Sequence, residues 1–317
     1  MALTPYETQL MAARLRQLVL IDNQATLMDK ALKGAYADVT KALENLASGS
    51  TDTIKPARLA GLERELNAIM DNTMNTVNDY IQKDIYQAAQ IATDGKIKAG
   101  TAMLYDISPT AAQAIPRAFT VIPQMAVQAV LARTYDDNKT FSDRIWDLRN
   151  HSKTVISDTV AKGVAQGKSA RNIAKELEPY LTGVLEIQKG LSEEEQKGFE
   201  LIWKQMRRKR GDLRYNAMRL ARTENNNAYR EANILSAQQS KWVEGVKWNL
   251  SNSHPKPDIC DVYASQDLYG LGRGVYPPNS TPRDHPNGLC FLTDKLVSQE
   301  KMLGMIQRGE LDRIEYR

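Results

Sequence analysis

The chain has 317 residues, of which 42% are hydrophobic, so it is long enough to bury one large core or two smaller ones. Its 42 basic and 38 acidic residues leave a formal net charge of +4, well below the excess of dedicated nucleic-acid-binding proteins, so polyanion binding would have to be local. Two cysteines cannot build a disulfide framework, and the N-terminus "MALTPYETQLMAARLRQ" lacks the apolar core of a secretory signal, so we expect a protein made in a reducing cytoplasm. No run of about 18 apolar residues occurs, so we expect no membrane partner.

The N-terminal third has the pattern of long helices. From Leu59 onward apolar residues recur at spacings of three, four and seven. They are Leu62, Leu66, Ile69, Met70, Val77 and Ile81. Such a stripe is typical of the core of an intramolecular helical bundle, and also of a surface that docks on a neighbouring subunit. The sequence leaves both interpretations open.

Three stretches rich in turn-forming residues interrupt this pattern. They are "SGSTDTIKP" near 48–56, "DISPTAAQAIPRAFTVIP" at 106–123 and "TYDDNKT" at 134–140. We place the main domain boundary at the last of them, which predicts a helical domain over 1–135 and a second domain over 136–317.

The second half begins with a predicted helical hairpin. Gly167 is expected to end its first helix and Ser169 to cap its second. The pair Ser192 and Glu195 forms a capping box that predicts a third helix, and a fourth is expected over roughly 212–240.

The stretch "WVEGVKWNL" then alternates as a half-buried strand does. The residues of one parity are Trp242, Val246, Trp248 and Leu250. The predicted fold is therefore mainly α with a small C-terminal α+β module. Long N-terminal helices are followed by a helical hairpin, a long helix and a short β-hairpin and loop region.

Both cysteines and two of the three histidines lie in one short C-terminal region. His254 precedes Cys260 in "HPKPDIC", and His285 precedes Cys290 in "HPNGLC". A structural zinc ion takes four nitrogen or sulfur ligands from two short turns. Each of these turns would supply one histidine nitrogen and one cysteine sulfur. A metal crosslink would also order the intervening loop, which is too rich in glycine and proline to build a core. The pattern therefore predicts a zinc site at His254, Cys260, His285 and Cys290.

Two other interpretations of these residues stay open, because the close C-x-x-C spacing typical of zinc sites is missing. Cys260 and Cys290 fit a pair of neighbouring buried thiols, with the histidines hydrogen-bonded in their turns. They also fit a disulfide that forms once the protein leaves the reducing cytoplasm.

A second group of polar residues lies on the predicted fourth helix, in "ARTENNNAYREAN". Helical spacing places Arg222, Asn226, Tyr229 and Arg230 near one face, with Glu224 further around. Such a face would bind a phosphate or assist acid–base chemistry, or it would hold an internal hydrogen-bonded network in which Arg222 contacts Asp258 or Asp261. We favour the network. Its predicted members are Arg222, Glu224, Asn226, Arg230, Asp258 and Asp261.

The segment "KQMRRKRGDLR" concentrates positive charge ahead of this helix. Its basic residues are Lys204, Arg207, Arg208, Lys209, Arg210 and Arg214. Such a run fits sequence-independent contact with DNA phosphates, and it equally fits a solvated face.

The order of several short motifs resembles the Mu F-like head morphogenesis family, the minor capsid proteins of tailed bacteriophages. The motifs are "SDRIW", then "ARTE" followed by "N" and "YR", a tryptophan-rich strand, "PDICD", and "HPN" followed by a cysteine, and together they cover about 140–295. The resemblance implies a virion protein near the portal end of the phage head, made in the host cytoplasm. It implies the portal protein, the major capsid or scaffolding protein and double-stranded DNA as partners. On this basis 1–135 is expected to dock on the portal or capsid, and 136–317 to be the Mu F-like domain.

The sequence departs from the commoner pattern of that family, in which C-x-x-C and C-x-C pairs occur. Tyr263 and Gly288 occupy two of the cysteine positions, which argues against a four-cysteine metal site.

We expect no enzymatic activity, although two alternatives to a minor head protein stay open. One is a metal-dependent DNA-processing nuclease built around "RDHPN", and the other is an internal virion protein ejected with the genome. The chain has no HExxH and no G-x-x-x-x-G-K-[ST] motif, which are the signatures of zinc proteases and P-loop nucleotide hydrolases.

Overall fold

The structure is a computed structural model that describes residues 3–48, 52–183, 211–251, 254 and 257–311. It is mainly helical with a small three-stranded antiparallel sheet near the C-terminus, which confirms the predicted fold class.

Two long helices make up the N-terminal part. Helix α1 (Pro5–Leu46) and helix α2 (Leu59–Leu104) are joined through the short antiparallel strands β1 (Ala47–Ser48) and β2 (Thr53–Ile54). The helices that follow are α3 (Pro109–Phe119), α4 (Ile122–Ala132), α5 (Phe141–Ala165), α6 (Ala170–Thr182) and α7 (Leu213–Gln239).

The C-terminal sheet has the strand order β4–β3–β5. Its elements, with two short helices, are β3 (Val243–Asn249), α8 (Ile259–Ser265), β4 (Val275–Tyr276), β5 (Phe291–Leu296) and α9 (Gln299–Gln307). The central strand β3 buries Val246 and Trp248 as the alternation predicted, but Leu250 lies beyond the strand and is exposed, so its assignment to the buried face was wrong. The chain has turned away from the sheet by that residue.

The chain divides into two compact units, each assembled from separate segments. The first unit is Met1–Asp22, Gln82–Arg133 and Arg222–Arg317, and the second is Asn23–Ile81 and Thr134–Ala221. The chain passes from one unit to the other after residue 133, close to the expected boundary at 135, and at three other points. The functional division into a docking domain over 1–135 and a Mu F-like domain over 136–317 stays a prediction.

The second unit has an apolar core built largely from α1 and α2. On α2, Leu62, Leu66, Met70, Val77 and Ile81 are all at most 1% exposed, and Ile69 is half-buried. On α1, Met28, Leu32, Val39 and Leu43 are completely buried. Burial of this kind is the main stabilising contribution to a helical core. The predicted stripe therefore packs inside the chain.

The predicted hairpin is formed by α5 and α6. Gly167 follows α5 with a φ of +67°, a conformation that glycine adopts without strain. The Ser169 side chain accepts a hydrogen bond from the Asn172 N–H, which caps the start of α6. Both predicted helix-end signals are confirmed.

The stretch from Pro109 to Ala132 is apolar and long enough to cross a membrane by length and composition. In the structure it forms two helices, α3 and α4, and their buried residues belong to the core of the first unit. These residues include Ala112, Ile115, Phe119, Ala126 and Val130. About a third of this apolar stretch, 33%, is buried in this way.

The first unit contains a buried ion pair between α2 and the sheet. Lys96 contacts Asp294, and both side chains are at most 2% exposed. The Tyr6 hydroxyl donates to Asp294 Oδ2 at 2.5 Å. Burial lowers the pKa of Lys96 and raises that of Tyr6, because the charged form of each group is poorly solvated there. Asp294 thus anchors both N-terminal helices to strand β5.

Candidate functional site

Helix α7 buries several polar side chains between residues 224 and 233, and they point in more than one direction around the helix. Each of the following is at most 5% exposed: Glu224, Asn225, Asn226, Asn227, Arg230 and Asn233. Burying a polar group costs free energy unless it finds a hydrogen-bonding partner. The partners of these side chains therefore show what the helix does.

Its main partner is the loop of residues 282–290, which precedes strand β5. Asn226 Nδ2 donates to Asp284 Oδ2 at 3.1 Å and to the Cys290 carbonyl at 3.3 Å. Arg230 donates through Nη1 to the same carbonyl at 3.3 Å and through Nη2 to the Pro282 carbonyl at 3.1 Å. We call the contact of Arg222, Thr223, Asn226 and Arg230 with this loop the α7 seam.

The N-terminal end of the α7 seam is made by Arg222 and Thr223. Arg222 Nη1 donates to Asn287 Oδ1 at 3.1 Å, and the Asn287 N–H donates to Thr223 Oγ1 at 2.8 Å. The prediction that Arg222 contacts Asp258 or Asp261 was wrong. Those two carboxylates are engaged in capping helix α8, and Asn287, with a φ of +67°, meets the arginine instead.

Two residues of α1, Arg14 and Gln17, also bind the buried polar side chains of α7, and neither was predicted from the sequence. Gln17 Nε2 donates to Asn225 Oδ1 at 3.2 Å and to Asn226 Oδ1 at 3.3 Å. Arg14 Nη1 donates to Asn226 Oδ1 at 3.3 Å, and its Nη2 donates to the Leu289 carbonyl at 2.5 Å. The available signal was a pair of polar residues three apart on a helix face whose neighbours, such as Ala13, are apolar.

Arg230 also links the seam to the sheet. Its guanidinium lies over the ring of Trp248 in β3, 4.0 Å from the ring centroid. Burial lowers the pKa of Arg230 to about 10, because desolvation disfavours its charge. A cation held by a ring face and two carbonyls is suited to fixing a helix, a loop and a strand in one arrangement.

The aspartates before helix α8 form a capping box. The Asp258 side chain accepts from the Cys260 N–H at 2.7 Å, and Asp261 Oδ2 accepts from the Asp258 N–H at 2.8 Å. His254 Nε2 lies 2.8 Å from Asp261 Oδ2, a contact that raises the pKa of the imidazole and lowers that of the carboxyl. These carboxylates fix the turn that carries Cys260.

Possible metal ligands cluster near this cap in a different combination from the predicted one. The carboxylate of Asp258, the thiol of Cys260 and the imidazole of His285 have ligand atoms within 4.8 Å of one another. His254 groups instead with Asp258 and Asp261. Cys260 and His285 are therefore brought together as predicted, whereas His254 and Cys290 lie outside their group.

The Asp258, Cys260 and His285 group fits zinc by its donor chemistry, since zinc accepts oxygen, sulfur and nitrogen ligands. His285 Nδ1 lies 3.0 Å from the Pro286 carbonyl, which favours a proton on that nitrogen. His285 Nε2 lies 3.1 Å from Asp258 Oδ2. Histidine metal ligands commonly have their second nitrogen fixed in this way.

The two cysteines are free and buried. Cys260 Sγ lies 3.5 Å from Asp284 Oδ1, and burial, with the nearby Asp284 carboxylate and Cys290 thiol, raises the pKa of Cys260. A hydrogen bond also joins the two thiol groups. This arrangement agrees with the interpretation of Cys260 and Cys290 as neighbouring buried thiols.

Most of the predicted basic run lies outside the described residues. Lys204, Arg207, Arg208, Lys209 and Arg210 fall there, as do Ser192 and Glu195 of the predicted capping box. Arg214 is described, and it pairs with Asp29 in the second unit. The Asp29 carboxylate offsets the positive charge of Arg214, which would otherwise attract DNA phosphates.

Comparison of the chain with protein-family models, with curated proteins and with solved structures finds no match in any of the three. The motifs of the sequence and the contacts of α7 are therefore the observations that bear on function.

Proposed function

We propose that this chain is a minor head protein of a tailed bacteriophage that acts as a structural component of the head near the portal, and not as an enzyme. The α7 seam is the observation that supports it. The motifs of the Mu F-like resemblance stand far apart in the sequence, yet Arg222, Asn226 and Arg230 all contact the loop that contains "HPNGLC".

The direction of these contacts favours a structural role. Arg230 donates to two backbone carbonyls. Asn226 donates to the Asp284 carboxylate and accepts a hydrogen bond from Arg14 on α1. A catalytic group instead has to face a reacting atom in a cleft. The seam residues hold the module in one conformation, as a component that must present fixed surfaces to neighbouring subunits requires.

Within this function we propose that zinc fastens the turn before α8 to the 282–290 loop. Asp258, Cys260 and His285 would supply three of the four zinc ligands, and the role of the ion would be to crosslink two loops that have little apolar core of their own. The expected result is close to one zinc per chain in protein purified without chelator, measured by elemental mass spectrometry.

Variants separate this ligand set from the one predicted by spacing. Cys260→Ser and His285→Ala should lose the metal, whereas His254→Ala and Cys290→Ser should keep it. Loss of zinc in all four variants would favour the spacing-based set, and metal-free wild-type protein would exclude both.

The head function is tested by disrupting the gene in the phage that encodes the chain and counting infectious particles by plaque assay. We expect few infectious heads. Supplying the wild-type protein or the variant Arg273→Gln, whose exposed side chain lies outside the seam, should restore them, while Asn226→Leu should not. Normal infectious heads without the protein would contradict the proposal, and DNA cleavage with a divalent metal that is lost in His285→Ala would support the nuclease instead.

A further inference from the structure

A cavity of about 320 Å³ lies within the first unit, between the end of α4, one face of α7 and the proline-rich turn before the 282–290 loop. We call it the arginine pocket. The lining residues that matter here are Arg133, Asn227, Arg230, Glu231, Thr281 and Arg283. Its volume falls at the lower end of the range of small-ligand sites.

The charges that line the arginine pocket are unbalanced. Arg133 Nη2 contacts Glu231 Oε2 at 2.7 Å, and both side chains are largely buried. In the described part of the chain, no carboxylate oxygen lies within 4.0 Å of a guanidinium nitrogen of Arg230 or Arg283. The pocket lining therefore carries three guanidinium groups and one carboxylate.

The α7 seam does not account for this excess. Arg230 gives two hydrogen bonds to neutral carbonyls, whereas a guanidinium has five N–H donors. Asp284 is the carboxylate that most favours the charge of Arg230, but its oxygens accept from Asn226 Nδ2, the His285 N–H and the Cys260 thiol. Arg283 belongs to the 282–290 loop, but its side chain makes none of the seam contacts and is exposed at the edge of the pocket.

We propose that the arginine pocket binds the phosphate group of a phosphate ester. Guanidinium groups bind phosphate oxygens through paired, charge-assisted hydrogen bonds, and a phosphate would supply the negative charge that the lining lacks. The Thr281 hydroxyl and the Asn227 amide add neutral polar groups to the lining. The ester is either the backbone of a nucleic acid or a small free phosphate compound. This proposal rests on the pocket alone and does not depend on the head function.

The test titrates the full-length protein with inorganic phosphate by calorimetry and with a fluorescent 20-base-pair DNA duplex by anisotropy. The variant is Arg283→Gln, since an exposed arginine whose side chain makes no seam contact can be replaced with little risk to folding. The matched control is Arg273→Gln, which removes the same charge from an exposed position away from the pocket. Thermal melting checks that both variants fold.

We expect phosphate binding to weaken at least about tenfold in Arg283→Gln and to stay unchanged in Arg273→Gln. If the duplex loses affinity in the same variant only, and the slope of log affinity against log salt falls by about one, the ester is a nucleic-acid backbone. If phosphate alone depends on Arg283, the ester is a small compound. Absence of phosphate binding, or equal weakening in both variants, would overturn the proposal.

Discussion

The apolar core of the second unit and the α7 seam of the first unit are both buried, but they are built from opposite kinds of side chain. The core uses leucine, methionine and valine on α1 and α2, whose attraction is non-directional. The seam uses asparagine and arginine hydrogen bonds to particular atoms of one loop. Apolar cores tolerate exchange among residues of similar volume, whereas a polar network depends on each partner. We infer that both regions contribute to stability, the core through the volume it buries and the seam through particular partners, and that the seam in addition fixes one conformation of the C-terminal module.

The largest expected effect comes from Asn226→Leu in the seam. This change removes the partner of Gln17, Arg14 and the Asp284 carboxylate and leaves several buried polar groups unsatisfied. We expect a loss of at least about 3 kcal/mol in the free energy of unfolding, measured by urea denaturation.

The control is the same substitution at an exposed position. Asn72 on α2 is exposed, so Asn72→Leu should change stability by less than about 0.5 kcal/mol. Similar losses in the two variants would show that the seam contacts do not determine stability.

In the apolar core, size should matter more than identity. Leu66 is 1% exposed on α2, so Leu66→Ala should cost about 3 kcal/mol through lost burial and the cavity left behind. Leu66→Met conserves the volume and should cost less than about 1.5 kcal/mol. If Leu66→Met is as unstable as Leu66→Ala, the apolar core depends on residue identity as the α7 seam does, and the contrast between these two regions is wrong.

A smaller effect is expected where α1 and α2 approach closely in the first unit. A Cβ at Gly95 would lie 2.5 Å from Ala13 Cβ, so Gly95→Ala should cost about 2 kcal/mol because the helices must move apart.

Gly34 provides the matched control, because a Cβ there meets nothing within 4 Å. Gly34→Ala should raise stability by up to about 1 kcal/mol through helix propensity. Thermal melting of the two variants compares them directly, and a stabilised Gly95→Ala would contradict the close approach.

Local patterns were sufficient for much of the fold. The α2 stripe, the Gly167 and Ser169 signals and the position of α7 depend on neighbouring residues, so helical spacing and capping chemistry predicted them. The partners of α7 were different. Gln17 donates a hydrogen bond to Asn226, 209 residues away in the sequence. Short-range sequence patterns do not predict which distant groups will come into contact.

The candidate metal site shows the same limit. The spacing of cysteines and histidines identified Cys260 and His285, but the prediction included no carboxylate among the ligands. The structure places the Asp258 carboxylate with them because Asp258 caps α8 beside Cys260, while Cys290 approaches the Cys260 thiol. The two units, each built from separate segments, likewise follow from tertiary packing that a linear boundary does not describe.

The most direct test of the proposed function is quantitative mass spectrometry of purified phage heads before and after DNA release. A minor head protein should be present with the portal protein in both preparations, at an unchanged ratio to it. A protein that leaves the particle with the DNA would be an ejected internal protein, and a protein absent from both preparations would contradict a structural role in the head.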